Sequence, residues 1–325
     1  MIWFKRLLFI STILTLCVVV LGAYVRLTDA GLGCPDWPGC YGTLTVPQSE
    51  EAIFLAHATY PGSLVETGKA WREMIHRYLA GTLGLLIVML AFMAKKYKHE
   101  IKVPIYMPIS LVALVIFQAA LGMWTVTELL KPIIVSAHLI GGMTILGFLT
   151  FITHRHFGSS SLAVDSTIVR MARIGVILLF IQILLGGWTS TNYAALACTD
   201  FPTCHGSIIP DMDFSNGFSL LRDLGLTSSG ESLSIQALHA IQWTHRLGAI
   251  ILVTYFAIFS YLLSGLAGIR FYRNLLISVL VLQFIIGVAN LLLHLPIALA
   301  TIHNLGAALL VIILVIINAR MHIKI

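Results

Sequence analysis

Long apolar stretches separated by short polar segments dominate the chain. A membrane-spanning helix needs about 20 mostly apolar residues, and eight stretches reach that length. They cover approximately residues 7–27, 74–94, 104–126, 133–153, 172–191, 240–263, 272–291 and 297–319. The pattern predicts an all-α polytopic membrane protein with eight transmembrane helices, since runs of this length favour a helix bundle over a β-barrel.

Parts of the chain recur at a nearly constant spacing. Cys34 and Cys40 align with Cys198 and Cys204, 164 residues later, together with the Asp-aromatic-Pro between each pair. The segment from Gln118 to Gly122 and the following His138 match Gln283 to Gly287 and His303 at a spacing of 165 residues. We interpret the chain as a duplication in which helices 1–4 are repeated as helices 5–8.

Because each repeat has an even number of helices, both insert with the same orientation and form a parallel repeat. The sequence therefore predicts two four-helix bundles, an N-terminal half over 1–159 and a C-terminal half over 160–325. The small polar segment Gly158–Ser161 is the expected link between them.

Charge distribution predicts the orientation in the membrane. The protein is 58% apolar and only 10% charged, with a mean hydropathy of +0.93. Most of its basic residues fall at one end of the predicted helices: Lys5, Arg6, Lys95, Lys96, Lys98, Lys102, Arg155, Arg170, Arg173, Arg270, Arg273, Arg320 and Lys324. The positive-inside rule then places both termini in the cytoplasm and the cysteine loops outside. We expect a cell (inner) membrane protein with no nucleic-acid partner, and a first helix retained as an anchor rather than removed as a signal peptide.

Four histidines hold equivalent positions in the predicted bundles. His76, His138, His245 and His303 each lie within about the first two turns of an even-numbered helix, and all these helices begin on the outer face. Facing imidazoles at one depth of a four-helix bundle are typical of axial haem ligands. Zinc fits less well because each half lacks the further ligands of a closed zinc site. Interface histidines bonded to backbone carbonyls are the alternative.

Two arginines directly follow two of these histidines. Arg77 and Arg246 are predicted to bind haem propionates, since guanidinium groups bind carboxylates with two hydrogen bonds. Snorkelling of their side chains to the membrane interface is the alternative interpretation.

The four loop cysteines lie in a compartment where disulfides persist. Their duplicated spacing favours one bridge within each loop, Cys34–Cys40 and Cys198–Cys204. Each bridge is either a structural staple or a redox-active pair near a haem.

The chain resembles the haem A synthase family over nearly its whole length. The resemblance rests on Gly31–Cys40, Glu73–Gly81 and the segments around His138, His245 and His303. It implies an eight-helix oxidoreductase acting on CH groups. Such an enzyme oxidises the C8 methyl of haem O to a formyl group by successive hydroxylations, giving haem A for terminal oxidases.

The resemblance also implies roles for the two halves. His245 and His303 correspond to the axial ligands of a resident haem b, the cofactor. His76 and His138 correspond to the ligands of the substrate haem O. The haem O synthase, a protohaem farnesyltransferase, is an expected partner, together with an unidentified electron partner and the lipid bilayer itself. Whether the protein forms a homo-oligomer is left open.

Two further roles concern the outer end of the N-terminal half. The family's loop pair matched by Cys34 and Cys40 is tied to activity, and its carboxylate before the first histidine is matched by Glu73. The repeat agrees with this asymmetry, because Gln242 occupies the position of Glu73 in the second half. A carboxylate can shuttle protons and an amide cannot, so we expect Glu73 to be catalytic. An interface ion pair with Arg77 is the structural alternative.

Two other functions would explain parts of the sequence. A dihaem b-type cytochrome that transfers electrons from quinol needs the same histidines but not the Glu73/Gln242 difference. A transporter built from parallel repeats explains the duplication but not the histidines and cysteines. The sequence contains no nucleotide-binding loop.

Overall fold

A computed structural model describes residues 1–158 and 161–324 of the chain. Eight of its helices are long and apolar enough to cross a membrane. These are α1 (Ile2–Leu27), α3 (Thr67–Lys96), α4 (Tyr106–Thr127), α5 (Pro132–Phe157), α6 (Ser166–Thr191), α8 (Ile235–Leu262), α9 (Arg270–Leu292) and α10 (Ile297–Ala319). The prediction of an all-helical polytopic membrane protein with eight spans is confirmed.

Shorter elements lie between the long helices. α2 (Glu50–Thr59) lies between α1 and α3, and α7 (Phe214–Gly217) precedes α8. Single 3₁₀ turns cover Ala194–Leu196, Leu263–Gly265 and Ala267–Ile269. The long segment after α1 therefore contains a helix of its own, which the sequence pattern did not predict because α2 is too short and too polar in its first turn.

Helices α3 and α8 begin several residues before the apolar runs that predicted them. The predicted starts were residues 74 and 240, whereas α3 begins at Thr67 and α8 at Ile235. A side-chain cap explains the start of α8, since the Ser234 hydroxyl accepts the backbone N–H of Ala237. The first turns of both helices thus extend beyond the apolar stretch, and the side chains that bond to the cysteine loops, such as Glu73 and Gln242, follow in the second or third turn.

Helix contacts occur both within and between the two halves of the sequence. α1 packs on α3 and α5, and α4 packs on α5. α6 packs on α8, and α9 on α10. Between the two sets, α5 and α1 pack against α10, and α5 also packs against α6. The largest buried apolar cluster extends from Met143 and Leu146 of α5 to Leu310 and Leu314 of α10, so the core is continuous across the middle of the molecule.

A two-stranded parallel sheet closes one end of the bundle. β1 (Leu162–Val164) pairs with β2 (Met321–Ile323) in the register Leu162 to Met321. The predicted boundary between residues 159 and 160 lies outside the described residues, but the strand immediately after it is fixed to the end of the chain. The sequence did not predict this pairing, because three-residue strands leave no periodic pattern.

Candidate functional site

The four histidines singled out in the sequence line one cavity. The cavity has a volume of about 1230 Å³ and is lined by His76 of α3, His138 of α5, His245 of α8 and His303 of α10. Two of these imidazoles come from the N-terminal half, His76 and His138, and two from the C-terminal half, His245 and His303. The structure therefore brings together both pairs that the sequence indicated.

Their position along the helices differs from the prediction in two cases. His138 and His303 lie within the first two turns of α5 and α10. His76 and His245 lie nearly three turns into α3 and α8, because those two helices start earlier than their apolar runs.

Each imidazole packs against a glycine of a neighbouring helix. An added Cβ would lie only 2.9 Å from Cε1 of His76 at Gly22, and 3.2 Å from Cε1 of His138 at Gly122. The corresponding distances are 3.0 Å to His245 at Gly186 and 3.1 Å to His303 at Gly287. All four rings therefore depend on glycine at one position of the adjacent helix, since any side chain there would displace the ring.

Glutamine side chains lie beside three of the four histidines. The Nε2 amides of Gln118, Gln182 and Gln283 donate to the backbone carbonyls of His138, His245 and His303 at 2.6, 3.0 and 2.8 Å. Each amide fits over a glycine one turn after its histidine, where a Cβ would collide with the glutamine Oε1. These glycines are Gly141, Gly248 and Gly306.

The glutamine positions follow a rule that is visible in the sequence. The glycine that packs against the imidazole comes four residues after the glutamine on the same helix. The glycine that packs against the glutamine amide comes three residues after the histidine on its helix. Sequence comparison between the halves found Gln118 and Gln283 but missed Gln182, because Gln182 aligns with Val18 in the repeat. A search for the pattern on all four helix pairs, rather than between halves alone, would have found it.

The chemistry of the site fits a haem. Its nitrogen donors are imidazoles, which ligate haem iron, and small residues such as Ala80, Gly81 and Gly142 leave room on the cavity wall. The Nδ1 atoms of His76, His138 and His303 are buried and have no hydrogen-bond partner within the described part of the chain. Among the described residues, three potential metal-ligating side chains come together elsewhere, at His239 beside the disulfide-bonded Cys198 and Cys204. The four cavity histidines thus suit a macrocycle better than a closed zinc site.

The cysteine loops have matching structures. Disulfide bonds join Cys34 to Cys40 and Cys198 to Cys204. Within the first loop, Asp36 accepts the backbone N–H groups of Tyr41 at 2.6 Å and Gly42 at 2.8 Å. The carboxylate between the cysteines therefore organises the turn that closes the loop.

Asp200 has the same role in the second loop. It accepts the backbone N–H groups of His205 at 2.6 Å and Gly206 at 2.9 Å, and also the hydroxyl of Thr203. The Thr203 hydroxyl, the Gly206 amide and the His205 amide together hold the pKa of the Asp200 carboxyl well below its usual range.

Glu73 connects α3 to the first cysteine loop. Its side chain is buried, its Oε2 accepts the backbone N–H of Cys34 at 2.9 Å, and its Oε1 pairs with Arg77. Arg77 also donates to the backbone carbonyl of Asp36 at 2.9 Å. Both Glu73 and Arg77 line the cavity, so this ion pair lies between the disulfide loop and the histidines.

Gln242 makes the equivalent contact in the second half. Its Oε1 accepts the backbone N–H of Cys198, and its Nε2 donates to the carbonyl of Ala195 at 2.6 Å. Arg246 donates to the carbonyls of Thr203 at 2.8 Å and Cys198 at 2.9 Å. The guanidinium groups of Arg77 and Arg246 thus bind loop carbonyls in this structure, and the predicted propionate contacts stay a prediction.

A polar contact between the halves was not anticipated from the sequence. Arg26 at the end of α1 donates to Tyr193 Oη at 3.0 Å and to the Ser190 carbonyl at 3.1 Å. Tyr193 in turn donates to Asp29 at 3.0 Å. Arg26 lines the cavity, so its guanidinium fixes the C-terminal ends of α1 and α6 together beside the histidines.

Comparison with known proteins agrees with this site. A 41% identical relative, the "Heme A synthase" of Shewanella oneidensis, aligns over 96% of this chain and 94% of its own length. The "Heme A synthase" of Wolbachia pipientis subsp. Culex pipiens is 26% identical over 93% of both chains. The family model COX15-CtaA, described as cytochrome oxidase assembly protein, matches residues 5–315. The chain therefore belongs to the COX15-CtaA family of cytochrome oxidase assembly proteins.

Proposed function

We propose that the protein is a haem A synthase, an oxidoreductase that converts the C8 methyl of haem O to a formyl group by successive hydroxylations. The observation that carries the proposal is a single cavity lined by four imidazoles, two from each half of the chain, each packed against a glycine of a neighbouring helix. The 41% identity to a curated haem A synthase over nearly the full chain supports the same activity.

The two halves have different roles in this proposal. The C-terminal pair, His245 and His303, holds a resident haem b, which supplies electron transfer when bound. The N-terminal pair, His76 and His138, holds the substrate haem O. The difference between Glu73 and Gln242 supports this assignment, because the carboxylate lines the cavity only on the N-terminal side.

Glu73 is the residue proposed to move protons at the substrate. Its carboxylate faces the cavity and is also bonded to Arg77 and to the Cys34 backbone. These contacts orient the carboxylate, and the burial excludes water from it. Each hydroxylation that takes its oxygen from water releases two protons and two electrons; the electron carrier takes the electrons, and Glu73 Oε1 or Oε2 is placed at the cavity wall to accept a proton.

The proposal extends to orientation and partners. Both termini lie in the cytoplasm and the disulfide loops outside the cell membrane, with helices 1–4 and 5–8 as parallel repeats. The matching disulfide loops and glycine-backed histidines support the repeat. The expected partners are a haem O-producing farnesyltransferase and an electron carrier.

Co-expression with a haem O source, followed by chromatography of the extracted haems, tests the activity. Haem A should appear with the wild-type chain and be absent with His76→Ala and with the haem O source alone. Extracts that contain haem b and haem O but no haem A would overturn the proposal and favour a dihaem electron-transfer cytochrome.

A further inference from the structure

His76 differs from the other three cavity histidines in what surrounds it. His138, His245 and His303 each have a glutamine amide on their backbone carbonyl and a glycine under that amide. At His76 the corresponding positions are Val18, four residues before Gly22, and Leu79, three residues after the histidine. A valine has no amide to donate, and Leu79 carries a side chain where the other three helices have the glycine that accommodates the glutamine.

The glutamine contact restrains the histidine that it touches. A hydrogen bond to the backbone carbonyl fixes the helix turn that carries the imidazole, and the tight fit over glycine fixes the glutamine itself. The supporting groups around a ligating histidine set its orientation, and their loss typically weakens metal affinity by about 10- to 100-fold. We therefore call a glutamine and the glycine beneath it an amide lock: Gln118 with Gly141, Gln182 with Gly248, and Gln283 with Gly306.

The lock at His245 has an additional contact. Gln182 Nε2 lies 3.0 Å from Nδ1 of His245, while its Oε1 is buried without a partner. Gln182 therefore contacts the imidazole of His245 as well as its backbone carbonyl.

We propose that His76 is the displaceable ligand of the four and that Gln118, Gln182 and Gln283 are positioning residues that hold the other three. The inference rests on the proposed function, since it takes the four imidazoles as haem ligands. It gives the C-terminal site two locked ligands, as a resident cofactor requires. It gives the N-terminal site one locked and one releasable ligand, which suits a haem that must enter and leave in every catalytic cycle.

Carbon monoxide is a probe of ligand release, because it competes with an imidazole for one coordination position of ferrous haem. In the purified full-length protein, Gln182→Val places at His245 the residue that stands beside His76. Loss of the amide lock should weaken the binding of His245 to the haem iron by about 10- to 100-fold. Because CO competes with His245 for the iron, the apparent CO affinity of the C-terminal haem should rise by the same factor. Gln236→Val, at an exposed position of α8, is the matched control and should leave CO binding unchanged.

A second pair of variants tests the lock without changing the glutamine. Gly248→Ala should expel the Gln182 amide, because the new Cβ would collide with Oε1, and should raise CO affinity in the same way. Gly265→Ala is the control, since among the described residues no atom beyond its chain neighbours lies within 4 Å of an added Cβ. Conversely, Val18→Gln with Leu79→Gly should build a lock at His76 and weaken CO binding at the N-terminal haem.

The outcomes separate this inference from the proposed function. A wild-type protein that holds no haem would refute the haem sites themselves. A protein that holds haem, with a wild-type absorption spectrum and the same CO affinity in Gln182→Val, Gly248→Ala and both controls, would overturn the lock and leave the haem sites standing.

Discussion

Glu73 Oε2 accepts the backbone N–H of Cys34 at 2.9 Å, and Gln242 Oε1 accepts the backbone N–H of Cys198 in the same way. The two side chains therefore share a structural task, which is to fix a disulfide loop to a helix. They differ in charge and in donor capacity, since Gln242 also donates to the Ala195 carbonyl, so exchanging them tests the carboxylate while the accepting contact to the cysteine amide is kept.

We expect Glu73→Gln to fold with both disulfides and to retain haem, but to form little haem A. The glutamine can still accept the Cys34 amide, as Gln242 does for Cys198, whereas it cannot accept a proton from the substrate. General acid–base groups typically contribute about 10²- to 10⁴-fold to rate, so haem A in extracts should fall by that order. Chromatography of extracted haems measures it.

Gln242→Glu is the matched control for this exchange. It introduces a carboxylate beside the C-terminal site and should leave the amount of haem A close to that of wild type. Normal haem A in Glu73→Gln would remove the carboxylate from the reaction and leave it as a loop anchor only.

Removal of a predicted axial ligand should abolish one spectroscopic signal. His245→Ala should lose the low-spin haem b signal in optical and EPR spectra, because His303 alone cannot give two-histidine ligation. His99→Ala, between α3 and α4, serves as the control. An unchanged spectrum in His245→Ala would contradict the assignment of the resident haem to this pair.

A single methyl group under an imidazole should also disturb the site. Gly186→Ala would place its Cβ 3.0 Å from Cε1 of His245, and overpacking of this kind costs about 1–3 kcal/mol. Haem content after purification should fall accordingly. At Gly147 an added Cβ meets only ordinary contacts, 3.7 Å from Val311 and Val315, so equal haem loss in Gly147→Ala would show that the imidazole contact is not responsible.

The second cysteine loop should weaken in acid. Because hydrogen bonds hold the Asp200 pKa below the ordinary value of 3.8, its stabilisation is fully present above that pH and is lost as the pH falls through the lower, folded-state pKa. Hydrogen-exchange protection of the His205 and Gly206 amides, corrected for intrinsic rates, should fall below about pH 4. In Asp200→Asn the protection of these two amides should be low and nearly independent of pH in this range. A steep fall of the protection with acid in that variant would exclude Asp200 as the cause.

Much of the membrane-embedded part could be predicted from the sequence. Eight apolar runs gave eight helices, and His76, His138, His245 and His303 do line one cavity. These predictions succeed because the length of apolar runs and the repetition of polar residues within them are dictated by the bilayer. The starts of α3 and α8 were placed too late, because their first turns lie where polar residues are no longer excluded.

The contacts of the polar residues were harder to predict. The sequence showed that Glu73 differs from Gln242, but not that both bind the first cysteine of a loop. It did not show that Arg77 and Arg246 bind loop carbonyls, and their contacts to propionates stay a prediction. Such partners depend on how the long loops after α1 and α6 fold back onto the helices, and no periodic pattern encodes that path.

The pairing of β1 with β2 bears on how the protein can be divided. A cut between residues 159 and 160 would leave both strands on the same fragment. The C-terminal half therefore contains the whole sheet, here called the clasp, which joins residues 162–164 to residues 321–323. Deletion of residues 321–325 would open this clasp although it removes no part of a membrane helix. Fusions at the C-terminus should therefore follow a flexible spacer, whereas a split protein made from the two halves keeps the clasp whole.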